Sequence, residues 1–262
     1  MRIDYTIRTR VAFSFVRPFL ATSVLALAVT GCAQKSDEPT QQDYNDVASS
    51  VGALVAGGGG ELASIEDSVG TATGEIPFGF SSNGSGQIEG TRGGMSFLYE
   101  VACTGADGVT MAACDSTTDS ASLLVEWAGN YEGDFWQFEV SRTGEWSVSG
   151  LQDDVAVFSG EGTFDVSSAS QSLDGQRSRS FELSYAGSYD ISWDIAAQRV
   201  IEGAISYDVH AERHVDGEAV DADAVFDIDA EITFDGTGTA RLVLDGGHSY
   251  DLDLTTGAVA GR

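Results

Sequence analysis

Residues 218–235 read EAVDADAVFDIDAEITFD, and their alternation decides the fold class. Val220, Ala222, Ala224, Phe226, Ile228, Ala230, Ile232 and Phe234 take the even positions, with Asp221, Asp223, Asp227, Asp229 and Glu231 between them. A period of two puts the apolar set on one face of a strand and the carboxylates on the other. Residues 199–213 carry the matching apolar set at odd positions: Ile201, Ile205, Tyr207, Val209 and Ala211. Asp216-Gly217 favours a two-residue hairpin turn, because a type I′ turn needs positive φ. That turn predicts Tyr207 opposite Phe226, Ile205 opposite Ile228 and Ile201 opposite Ile232. A slip by one residue would place Phe226 and Ile228 among carboxylates, so the pattern resists it.

Outward from this hairpin the same period continues. Met95, Phe97, Tyr99 and Val101 alternate, as do Leu123, Val125 and Trp127, and Phe181, Leu183 and Tyr185. Glycines punctuate the chain at Gly129-Asn130, Arg142-Thr143-Gly144, Gly160-Glu161-Gly162, Ala186-Gly187-Ser188, Gly236-Thr237-Gly238 and Gly246-Gly247-His248. Read as hairpin turns, they predict short strands. The last turn sets Leu244 against Tyr250, Leu242 against Leu252 and Arg241 against Asp253. The expectation is an all-β domain over residues 74–262, an antiparallel meander of about 12–14 strands. A sheet this one-sided must bury its apolar face, as a curled sheet, a half-open or closed barrel, or a sandwich. A transmembrane barrel alternates too, with the apolar rows turned to lipid.

Composition narrows the partners. The chain has 262 residues, 41 acidic against 13 basic, with one lysine, Lys35. Nucleic acid, whose phosphates demand basic contacts, is a poor fit. A solvated acidic surface is the ordinary reading of such a balance.

The N-terminus has three parts in a fixed order. Arg2, Arg8, Arg10 and Arg17 form a basic region, residues 19–28 an apolar run too short for a comfortable span, and Val29-Thr30-Gly31-Cys32 closes it. This resembles the lipobox of bacterial lipoproteins. The resemblance covers residues 1–32 and implies a signal peptide at 1–31, cleaved before an acylated Cys32. Several acyl chains would anchor the protein stably, whereas one holds marginally. Ala33 after the cysteine resembles the outer-membrane side of the sorting rule of enteric bacteria. Removal of four arginines and Asp4 leaves 9 basic against 40 acidic residues, a net charge of −31.

Residues 33–43 read as a tether. Tyr44, Val47, Val51, Leu54 and Val55, then Leu62, Ile65 and Val69, fall at helical spacing on either side of Gly57–Gly60. Residues 32–73 are therefore expected to hold the acylated cysteine, a tether and short helices. With Cys32 taken by lipid, Cys103 and Cys114 form an even pair for a structural disulfide, as an oxidising compartment allows.

No catalytic signature is present: GxSxG, HExxH and the Walker loop are all missing. Asp208, Asp221, Asp223, Asp227 and Asp229 are oxygen ligands of the kind Ca²⁺ prefers, although a flat strand does not wrap an ion, so such a site would be weak. His210 is expected opposite Asp223, and all three histidines on the surface. The sequence thus points to a membrane-anchored, non-enzymatic lipoprotein with a structural or binding role. Alternatives are a carrier of a lipid or other apolar ligand within the curled sheet, and a Ca²⁺-dependent adhesion or envelope module. A carboxylate-based hydrolase would need a cleft with converging acids.

Overall fold

The computed structural model describes residues 37–56, 60–83, 86–132, 136–171, 178–216 and 223–262. The leader, Cys32, Gly57, Gly217 and Asp221 lie outside the described residues. Two helices, α1 (Gln41–Val55) and α2 (Glu61–Ala72), precede twelve strands. These are β1 (Phe80–Ser82), β2 (Gln87–Arg92), β3 (Met95–Gly105), β4 (Thr118–Glu132), β5 (Trp136–Ser149) and β6 (Val155–Gln171), followed by β7 (Ser178–Asp194), β8 (Arg199–Asp216), β9 (Ala224–Phe234), β10 (Thr239–Leu244), β11 (His248–Asp253) and β12 (Val259–Gly261). They pair in chain order as one antiparallel meander, curled and unclosed.

Alternation sorts the faces as expected. Phe97, Tyr99, Val125, Phe158, Phe164, Ile191, Phe226, Ile232 and Leu242 are buried on the inner face. The intervening Asp, Glu, Ser and Thr face outward, the reverse of a lipid-facing barrel. α1 covers β10–β12 and α2 covers β3 and β4. Val47, Val51, Val55, Ile65 and Val69 complete the same hydrophobic core. Residues 36–262 accordingly form one compact unit, and the expected boundary at residue 73 separates no second body.

The expected registers of two hairpins are corrected. In the β8–β9 hairpin Tyr207 pairs with Ala230 and Ile205 with Ile232, four residues from the predicted register. Period two fixes which face a residue takes, and a shift of four preserves every face. Asp216 itself belongs to β8, and the rest of the expected turn lies outside the described residues. A bulge opposite Ser192/Trp193 turns Val200 inward and leaves Ile201 without its predicted partner. At β10–β11, Leu244 pairs with His248, Leu242 with Tyr250 and Arg241 with Asp251. The loop there is Asp245-Gly246-Gly247, with positive φ at Asp245 and Gly246.

The larger correction concerns the glycines. Gly129, Gly144, Gly160, Gly162 and Gly187 lie inside strands, not at turns. Strands β4 to β8 run 15, 14, 17, 17 and 18 residues without interruption, long for globular proteins. Gly144, Gly162 and Gly187 sit directly opposite one another across β5, β6 and β7, all at inward positions. A Cβ at Gly187 would meet the Tyr207 ring at 2.8 Å, and one at Gly144 would meet the Arg142 guanidinium at 2.9 Å. The row hollows the inner wall so that large side chains can fold across it.

Filling the hollow should therefore strain the core. Gly187→Val is expected to lower stability by about 1–3 kcal/mol, whereas Gly238→Ala, in open space, should change it by less than about 0.5 kcal/mol. Urea denaturation of the two variants checks this; equal effects would refute the role of the row.

Candidate functional site

Among the described side chains, three inner-wall arginines break the apolar alternation. Arg92, Arg142 and Arg213 occupy inward positions of β2, β5 and β8, and each meets a carboxylate from a helix. Arg142 is the deepest. Its Nε lies 2.5 Å from Glu61 Oε1, with both side chains fully buried, and its Nη2 donates to Glu61 Oε2 at 3.0 Å. The guanidinium lies over the Trp146 ring at 4.0 Å and near Phe164 at 4.9 Å, a cation–π setting with little competing water. Burial pushes the Glu61 carboxyl above its usual range, against the pull of Arg142. Burial also raises the Tyr189 and Tyr207 phenols around the pair.

Arg213 Nη1 meets both oxygens of Asp43, at 2.5 and 2.6 Å. Asp43 is also the third helical residue of a capping box: it accepts from the Thr40 N–H at 2.8 Å and the Thr40 hydroxyl at 2.7 Å. Burial alone would raise this carboxyl, but the Thr40 bonds and Arg213 outweigh it and hold it below the usual value. Asp67 pairs with Arg92 and accepts from Tyr99 Oη at 3.1 Å; burial lifts its carboxyl despite the arginine.

The expected site residues are dispersed. Cys103 and Cys114 form the disulfide, with Cα atoms 5.4 Å apart, and it closes the loop ahead of β4. Asp208 faces Asp229 across the ladder, on the open outer face. His210 sits opposite Asp227, not Asp223, with Nδ1 2.6 Å from its carboxylate. Asp223 lies 3.2 Å from His214. Among the described residues no three His, Cys, Asp or Glu converge as metal ligands. His248 departs from the surface expectation: it is half-buried and stacks on Tyr44 with centroids 3.6 Å apart. The Tyr44 hydroxyl donates to Asp245 at 2.7 Å, and burial together with that carboxylate pushes the phenol up to about 12.

A cleft of about 430 Å³ opens at the unclosed side of the sheet. The start of α2 lines it with Leu62 and Ala63, and strand ends supply Trp193, Val200 and Leu254. Arg92, Arg199 and Glu66 supply its charges. The inward arginines were visible as breaks in the apolar rows; nothing local marked the cleft, which joins residues more than 190 positions apart. Compared with known proteins, the chain matches no family model, no curated protein and no solved structure. No described helix is long and apolar enough to cross a membrane.

Two predictions follow from the ion pairs. Glu61→Gln leaves Arg142 buried without its counter-charge and should lower stability by about 3–5 kcal/mol, while Glu61→Leu combined with Arg142→Met should recover most of the loss. Denaturant titration of the three variants checks this. Asp43, whose carboxyl the fold holds below its usual value, adds stability that is present above the unfolded chain's value and lost as the pH falls through the native one. The stability gap between the wild type and Asp43→Asn should therefore be full at pH 6 and shrink below pH about 4. A gap that widens on acidification would contradict the pairing.

Proposed function

We propose that this chain is a lipid-anchored protein of the bacterial envelope, at the outer membrane, with a non-enzymatic structural or binding role. The observation that carries this reading is the filled inner face. The helices close it, and three helix carboxylates that meet the inner wall, Asp43, Glu61 and Asp67, are each engaged by an arginine in holding them there. Their shifts belong to packing, not to acid–base catalysis. A lipid carried within the sheet would need the space that Val47, Val51, Ile65 and Val69 occupy. Binding is thus left to the outer face and the cleft.

The short lead-in to the fold sets the reach of such an anchor. Asp37 N–H donates to the Val225 carbonyl at 2.7 Å, so the chain is already docked on β9 five residues after Cys32. Five extended residues span at most about 17 Å. An acylated Cys32 would hold the domain close to the bilayer surface, with a strongly acidic exterior facing water.

Metabolic labelling with a palmitate analogue tests the anchor. The expected result is label in the wild type, none in Cys32→Ala, and a shift of that variant from membrane to soluble fraction. Unlabelled wild type, or label retained by Cys32→Ala, would overturn the reading.

A further inference from the structure

We infer that the cleft at the open side of the sheet binds a singly charged anionic amphiphile: one carboxylate or phosphate head on a medium-length apolar body. The inference rests on the binding half of the reading above and does not require the anchor. Three observations meet there. The cleft's 430 Å³ falls in the range of small-molecule sites, roughly 300–1,000 Å³. Its wall is divided, with Leu62, Trp193, Val200 and Leu254 offering an apolar bed and Arg92 and Arg199 offering charge. And it gathers two arginines in a chain with 41 acidic and 13 basic residues.

The charges differ in availability. Arg92 is committed to Asp67. Arg199 is exposed; its Nη1 donates to the Gly236 carbonyl at 3.0 Å, and it has no carboxylate partner among the described residues. Its remaining donors suit a planar or tetrahedral oxyanion. Glu66, also on the wall, disfavours a polyanion, which limits the head to about one negative charge. Gln198, next to Arg199, holds a φ of 49°, a left-handed backbone that residues other than Gly or Asn adopt at some expense. That corner brings Arg199 onto the wall of the cleft.

The test uses the full chain carrying Cys32→Ser, purified without detergent, with calorimetric and tryptophan-fluorescence titrations. Decanoate, decyl phosphate, decanol and decyltrimethylammonium are compared below their micellar concentrations. Decanoate or decyl phosphate should bind at least tenfold more tightly than decanol or the ammonium compound. Arg199→Glu should weaken the anion at least tenfold, about the worth of one charged hydrogen bond, with an unchanged unfolding midpoint. Leu62→Trp, which fills the apolar bed, should abolish binding. Preference for decanoate assigns a carboxylate head, and preference for decyl phosphate a phosphate head. Equal binding of decanol, an Arg199→Glu variant that binds as the wild type does, or no binding of either anion would overturn the inference. None of these outcomes bears on the palmitate result, so failure of the site and failure of the anchor are separable.

Discussion

The fully buried pair of Arg142 and Glu61 is the interaction on which the architecture depends. A guanidinium on the inner wall of a β-sheet is tolerable only if a counter-charge reaches it in the absence of water. That counter-charge is the first residue of α2, which fixes where the helix enters the sheet. The glycine row opposite gives the guanidinium room, and Trp146 and Phe164 close over it. Arg92–Asp67 and Arg213–Asp43 repeat the arrangement near the other ends of the helical segment. A chain with few cations has placed three of them where they orient helices rather than offset its acidic surface.

Curl and filling follow from the same constraint. Strands of 14–18 residues with one apolar face cannot stay flat and buried, so the sheet bends around whatever covers that face. Inward glycines thin the wall at β5, β6 and β7, and aromatic rings from neighbouring strands lean into the space. Tyr185, Tyr207 and Phe164 meet edge to face there, with centroids 6.0–6.3 Å apart. Because the helices complete the core, the sheet need not close on itself, and the cleft between β2 and the ends of β7–β11 is the space left at the opening.

Period two made the fold class and the inward face legible, and helical spacing made both helices so, because each depends on neighbours two to four residues apart. Register was only half legible: Tyr207 could slide from Phe226 to Ala230 without exposing any apolar side chain. The strand glycines were misread for a physical reason, since a glycine needed for positive φ and one needed for close approach are the same letter. Gly246 is the first kind and Gly187 the second. Cys103 and Cys114 paired as parity suggested. The acidic row of Asp208, Asp227 and Asp229 drew attention by repetition but faces open solvent, whereas Arg142, a single break in one apolar row, marks the centre of the core.

The central claim is that α1 and α2 are part of the core and not a detachable cover. Native-state hydrogen exchange of the α2 amides tests it most directly. The account predicts that amides of Ile65, Ser68 and Val69 exchange with the same opening free energy as those of β5–β8, that is, only through global unfolding. Exchange from α2 at a markedly lower free energy, with the strands still protected, would show that the helix leaves the sheet on its own and would contradict the account.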